Sequence, residues 1–251
     1  MRAAVITDIH ANLQATEAVL AAIDEAGIDQ TWCLGDLVGY GADPDRCVAL
    51  AREHCDVCLL GNHDLAVLGR INISSFSPAA TEAVEWTRSH TSADTFAYLE
   101  QLEPTAEREG YGLFHASPRD PVWEYVLSSD QAAECLEVQA DRISLIGHSH
   151  IALFFQELAE NPGKPHFRIE ARGAQAPAGL QVEMTEGRWL LNPGSVGQPR
   201  DSDARAAWLE LDTDTATATF HRVPYDIEGA ARAITAASLP HHLANRLYVG
   251  R

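Results

Sequence analysis

Ala3 to Thr7 is a short apolar run that stops at Asp8, the pattern of a strand buried on both faces. Asn12 then precedes Leu13, Ala18, Val19, Ala22 and Ile23, which recur at helical spacing and stop near Gly27. That pattern predicts a capped helix. "TWCL" reads as a second strand ending at Gly35, Pro44 to about His54 as a helix, and "DVCLL" as a third strand ending at Gly61. A β-α-β-α-β order implies parallel strands with right-handed crossovers.

From Ser77 the pattern changes. Ser77-Pro78 is a good cap and first-turn pair for an amphipathic segment. Thr91 to Asp94 reads as the start of another helix running to about Leu102. "YGLFHA" is a predicted strand, Ser128 to Val138 a helix, and "RISLIG" a strand. Beyond that, alternating segments near 151–157, 165–170, 179–184, 187–191, 204–211 and 216–223 predict a mainly β remainder. A last helix from about Asp226 to Ala237 closes the chain. No internal repeat or low-complexity linker interrupts the pattern, so residues 1–251 are read as one domain.

The chain is 46% hydrophobic and 22% charged, ordinary for a soluble protein with a core. No run of about 20 apolar residues predicts a membrane span. The N-terminal "MRAAVITDIH" lacks the long apolar region of a signal peptide, so a cytoplasmic location is expected. The formal net charge of -18 disfavours long nucleic acid as a partner. A small phosphorylated substrate, including a nucleotide, still fits if metal ions invert the local charge. Cys55 and Cys58 form a C-x-x-C within what reads as an incoming strand. Residues three apart on a strand point to opposite faces, so a structural role is expected for them.

The early strands end in similar chemistry. The first gives Asp8 and His10, the second Asp36, and the third Asn62, His63 and Asp64. "LFHA" gives His115, and "LIGHSH" gives His148 and His150. Taken singly, each piece fits a cap, a turn or a surface histidine. Parallel strands release their C-terminal ends on one edge of a sheet, where open α/β sheets bind ligands. Together the residues form an imidazole and carboxylate set suited to divalent transition metals.

The order D-x-H, G-D-x-x-G-Y-G, G-N-H-D, H, G-H-x-H resembles the calcineurin-like metallophosphoesterase superfamily, in its small bacterial and archaeal phosphodiesterase-type form. "HASPRDP" and "LNPGSVGQPRD" resemble a subgroup of small members. The resemblance implies an α/β fold, a sandwich of two mixed β-sheets flanked by helices. It implies two metal ions: Asp8, His10, Asp36 and His150 hold one, and Asp36, Asn62, His115 and His148 hold the other. Asp36 bridges, and His148 and His150 serve different ions from one face of an extended segment. His63 is implied as the general acid rather than a ligand, with Asp64 accepting its other ring N–H.

Two ions about 3.5–4 Å apart can share a hydroxide and grip the phosphoryl oxygens of an in-line displacement. A donor set of nitrogen and oxygen without thiolate points to Mn²⁺ or iron, with Zn²⁺ compatible. The expected activity is hydrolysis of small phosphoesters, phosphodiesters before others. The alternatives are a dinucleoside polyphosphate hydrolase, a phosphomonoesterase, or a metal-binding scaffold without activity. Arg119 and Arg200 sit in Gly/Pro/Ser-rich loops and are candidates for clamping a distal phosphate, the alternative being that each braces its neighbour, Asp120 or Asp201. Tyr40 is a candidate for stacking on a base or for packing against its loop. The helical segment 65–102 is a candidate roof over the site.

Overall fold

The computed structural model describes residues 1–158 and 169–251. The chain begins β1 (Arg2–Ile6), α1 (Leu13–Ala26), β2 (Gln30–Cys33), α2 (Pro44–His54), β3 (Val57–Cys58). These three strands are parallel neighbours. Helix α1 starts where Asn12 accepts from the Ala15 N–H and ends at Gly27 in the left-handed region. Strand β3 is only two residues long, shorter than "DVCLL" predicts. Cys55 lies at the C-terminal end of α2, outside the strand.

Three helices follow: α3 (Asn62–Val67), α4 (Pro78–His90) and α5 (Ala93–Leu99). Ser77 caps α4 as expected, whereas the cap of α5 is Ser92, and the helix ends short of Leu102. Then come β4 (Thr105–Arg108), β5 (Tyr111–Phe114), α6 (Ser129–Val138), β6 (Ile143–Leu145) and β7 (Ala152–Glu157). The chain ends β8 (Ala171–Gln175), β9 (Gln181–Glu183), β10 (Trp189–Pro193), β11 (Ala206–Asp212), β12 (Thr217–Val223), α7 (Ile227–Ala236), α8 (His241–Leu247). Most of the segment 165–170 predicted as β lies outside the described residues, and the strand nearest to it begins at Ala171. Helix α7 does not close the chain, because α8 follows it.

The strands form two six-stranded mixed sheets, in the orders β3-β2-β1-β11-β12-β9 and β4-β5-β6-β10-β7-β8. The fold is therefore α/β, two mixed sheets flanked by helices, as the resemblance implies. Strand β1 shows why its sequence is apolar throughout. Ala3 and Val5 face the second sheet, packing with Leu113, Leu145 and Leu191. Ala4 and Ile6 face the helix side, packing with Leu13, Val19 and Val48. Alternate side chains of one strand thus fill two cores. The outer face of the second sheet is covered by α6, through Ala132, Cys135 and Leu136.

This architecture corrects one expectation. The strand ends that carry Asp8, Asp36 and Asn62 belong to the first sheet, but those that carry His115 and His148 belong to the second. The polar residues meet where two sheets end side by side, not along one edge of a single sheet.

Candidate metal centre

Five turns deliver the side chains. Asp8 and His10 follow β1, Asp36 follows β2, and Asn62 opens α3 after β3. His115 follows β5, and His148 and His150 follow β6. All are buried, Asp8, Asp36 and His115 completely. One group brings ligand atoms of Asp8, His10, Asp36 and His150 within 4.8 Å of one another, and a second does the same for Asp36, His115 and His148. Asn62 joins the second group, its Oδ1 lying 3.1 Å from His115 Nε2.

The backbone bends sharply to achieve this. Asp8, His10, Asp36, His148 and His150 all have φ between 49° and 65°, in the left-handed region. Each such residue costs on the order of 1–2 kcal/mol relative to ordinary backbone. Strain of this kind collects at functional sites. His148 and His150 therefore do not share one face of an extended segment; each sits on its own left-handed bend. The reason is local bonding: Gly147 N donates to His115 O at 2.7 Å, and His148 N to Asp8 Oδ2 at 3.1 Å, which pulls the chain out of strand geometry.

The ring hydrogens are spoken for on the outer side. His10 Nδ1 faces Val38 O at 3.1 Å, His115 Nδ1 faces Leu34 O at 2.9 Å, and His150 Nδ1 faces Gln198 O at 2.7 Å. A carbonyl only accepts, so each Nδ1 carries the proton and each Nε2 of a neutral ring presents a lone pair inward. Burial holds His10, His148 and His150 well below the usual imidazole range, so these rings are neutral. Burial likewise pushes Asp8 up to about 7, and Asp36 well above the carboxylate range.

The inward atoms lack partners. Asp8 Oδ1, Asp36 Oδ2 and His148 Nε2 are buried without any hydrogen bond. Asp36 Oδ1 accepts from the backbone N–H of His63 at 2.8 Å, which leaves Oδ2 free to lie 3.5 Å from Nε2 of both His10 and His115. Unpaired buried acceptors are costly. The donor set fits cations, and these residues would hold two of them.

His63 belongs to neither group. Its ring packs against Tyr40 (4.3 Å between centroids), His10 (4.9 Å) and Phe76 (4.9 Å). Gly39, at φ +89°, makes room for it, since a Cβ there would come within 2.6 Å of His63 Nδ1. That nitrogen is buried without a partner. Burial, and then the charge of Arg200, hold His63 well below the usual range. The expectation that Asp64 accepts a His63 ring N–H is not met. Asp64 accepts instead from the backbone of Gly61 (2.9 Å), Val38 (3.0 Å) and Leu37 (3.2 Å). As the third residue of α3 its carboxylate folds back onto the helix start, away from the ring.

The arginines also differ from the brace reading. Arg119 pairs with Glu124 at 3.3 Å and with Glu134, while Asp120 accepts from Val122 and Trp123 N–H groups. Asp201 pairs with Arg222. Arg200 instead lies over the Tyr40 ring, 5.8 Å from its centroid. The far wall is aromatic: Tyr125 stacks on His148 at 4.0 Å and Trp123 meets Phe76 at 5.7 Å.

Sequence reasoning singled out the loop after β10 for Arg200 but missed what Ser195, Gly197 and Gln198 do in it. Ser195 Oγ and Gly197 N both donate to Asp8 O, each at 2.9 Å, and Gln198 orients His150. Strand β10 runs parallel to β6, so its C-terminal end points to the same place, and "NPGSVGQ" carries the same glycine-rich signal as the other turns.

Comparison with known proteins agrees with the geometry. Residues 1–214 match the sequence family described as the calcineurin-like phosphoesterase superfamily domain. The chain is 36% identical to an uncharacterised protein of Methanocaldococcus jannaschii, MJ0912, over 99% of this chain and 98% of that protein. The crystal structure of a metallophosphoesterase from Sphaerobacter thermophilus is similar with a TM-score of 0.86, at 35% identity, covering 100% of this chain and 99% of that one. A hypothetical protein of Pyrococcus horikoshii OT3, PH1004, shares the fold with a TM-score of 0.78 at 18% identity, covering 100% and 98%.

Proposed function

Because the chain belongs to the calcineurin-like phosphoesterase superfamily, we propose that it hydrolyses small phosphoesters, phosphodiesters before monoesters, with two metal ions. One observation carries the reading. Asp36 Oδ2 is buried, unbonded, and equidistant at 3.5 Å from a ring nitrogen of each group. A carboxylate oxygen placed this way suits a bridge between two cations. Asp8, His10 and His150 would complete one site, and Asn62, His115 and His148 the other. Nitrogen and oxygen donors without thiolate suit Mn²⁺ or iron, with Zn²⁺ compatible. When bound, two such ions supply Lewis-acid polarisation of the phosphoryl oxygens and a water acidified for attack.

The chain's own groups do the rest. His63 is registered to the centre, because its backbone N–H holds the other oxygen of Asp36 at 2.8 Å. We assign to its ring the protonation of the departing oxygen. Burial and then the charge of Arg200 keep the free ring neutral, and phosphate charge beside it would favour the protonated form that this step requires. The aromatic wall of Phe76, Trp123 and Tyr125 offers ring faces beside the centre on which a flat leaving group can pack. The segment 65–102 supplies Phe76 to this wall and acts as the roof, Arg88 tying α4 to α3 through the Ala66 and Val67 carbonyls. Among the described residues no helix is long and apolar enough to cross a membrane.

Turnover across p-nitrophenyl mono- and diesters and cyclic nucleotides, with Mn²⁺ added and with chelator, tests the reading. Metal-dependent hydrolysis of at least one diester is expected. Absence of turnover on every ester with metal bound would overturn it.

A further inference from the structure

Two arginines outside the candidate ligand set converge beside it. Arg200 lies on the loop after β10, and Arg246 on α8. Arg200 Nη2 donates to Gln198 Oε1 at 3.0 Å, and Arg246 Nη1 donates to the same oxygen at 2.8 Å. One neutral amide oxygen thus serves two guanidinium groups. Arg246 Nε is held by the Arg251 carbonyl oxygen, and Arg200 Nη2 also lies 3.5 Å from Tyr40 Oη. Arg200 Nε is buried without a partner. Neither arginine is ion-paired with an Asp or Glu side chain among the described residues. Two guanidinium groups gathered on one amide oxygen repel each other, and an anion between them would relieve that repulsion.

The couple is placed against the first metal group. Gln198, whose side chain gathers both arginines, orients His150 through its backbone oxygen at 2.7 Å. The Tyr40 ring under Arg200 lies 4.7 Å from the His10 ring. Tyr125 and Phe76 of the aromatic wall lie against His148 and His63.

We propose that Arg200 and Arg246 together bind a second phosphate of the substrate, so that the substrate class is a phosphoester bearing a phosphoanhydride-linked or adjacent phosphate rather than a simple diester. The proposal rests on the reading that the metal centre takes the phosphate under attack. A simple mono- or diester has one phosphorus, which the centre holds, and would leave both guanidinium groups facing each other. A second phosphate supplies an anion for the pair, to which the unpartnered Arg200 Nε can donate, and guanidinium forks match its oxygens. Arg246 is thereby a specificity-determining residue, contributed by a helix remote in sequence from every candidate metal ligand.

The test compares binding of inorganic pyrophosphate and orthophosphate by calorimetry, on the metal-loaded protein and again after chelation. The parent protein should bind pyrophosphate more tightly than orthophosphate in both forms. In Arg246→Ala the pyrophosphate affinity should fall by roughly 10–150-fold, the worth of one charge-assisted hydrogen bond, and orthophosphate affinity by much less. Arg246→Lys should restore part of the loss, as a point charge without the fork. Equal affinities of the parent protein for the two anions would overturn the proposal without any variant. So would an equal loss for both anions in Arg246→Ala with a lowered melting temperature, which makes the arginine a brace for α8. Because binding is read without turnover, a chain that hydrolyses nothing but still discriminates the anions refutes the proposed activity and leaves the anion site standing.

Discussion

The Nε2 atoms of His10 and His150 lie 3.1 Å apart. Each ring gives its only proton to a backbone carbonyl, Val38 and Gln198 respectively, so two lone pairs confront each other in a buried space. That contact is repulsive without a cation. Metal removal should therefore destabilise the fold as well as stop catalysis. An ion present at about 100 times its dissociation constant adds roughly 2.7 kcal/mol, so chelation should lower the melting temperature by several degrees and Mn²⁺ should restore it. Elemental analysis of active protein should find two ions per chain; an unchanged melting curve with no bound metal would refute this.

Replacing the bridge should cost both ions. Asp36 contributes to each group, so Asp36→Ala should lose metal from both sites, whereas His148→Ala should empty only the second. Metal counted per chain after dialysis distinguishes these outcomes. A variant at Asp36 that retains one tightly bound ion would remove the bridging role.

His63→Ala should keep its metal and lose turnover. General-acid assistance is worth roughly 10²–10⁴-fold. The loss should be largest for alkoxide leaving groups and small for nitrophenolate, which departs without a proton. Equal losses on both substrate types would show that the ring does not supply that proton.

Gly39→Ala should mimic His63→Ala at a distance. The position is left-handed, and its new methyl group would meet His63 Nδ1 at 2.6 Å. Backbone strain of about 1–2 kcal/mol predicts a modest drop in urea midpoint. Displacement of the ring predicts a fall in kcat with metal content kept. Full activity in the variant would mean that the ring's position is not critical.

Asp64→Ala should be strongly destabilising and not specifically catalytic. Its carboxylate accepts from three backbone N–H groups that loop and helix leave otherwise unpaired. Each lost partner in a buried site costs about 1–3 kcal/mol. Urea unfolding should show a loss of at least that size, with residual activity tracking the folded fraction. A stable but inactive variant would return Asp64 to a direct role.

Much of this arrangement is legible along the chain, because apolar runs ending in Asp, Asn or His are a local signal. The strand ends at Asp8, Asp36, Asn62, His115 and His148 can be found by reading, and the structure brings them together. Other features leave no such trace. Strand β4, "TAER", alternates only between exposed and half-buried, so it lacks an apolar face. Helix α8 is seven residues long, too short for periodicity to stand out. Asp64 was misread because neighbours in sequence need not touch: the helix turn sends its carboxylate backward while the His63 ring goes toward Gly39. Arg246 carries no motif, and only the packing of α8 brings it to Gln198. The left-handed backbone at His148 and His150 is hidden because histidine, although enriched in that region, mostly adopts ordinary backbone.

The ligand candidates come from two sheets that are otherwise held together largely by apolar packing. Asp8, His10 and Asp36 follow strands of one, and His115, His148 and His150 follow strands of the other. Coordination would then act as a clasp at one end of the sandwich. Opening of the metal-free protein should begin at the clasped end, with amides of residues 147–151 and 34–38 exchanging first and those in the middle of β1 and β10 last. In the loaded protein that gradient should flatten, so that the ligand-bearing end, with its left-handed bends, becomes as slow to open as the core.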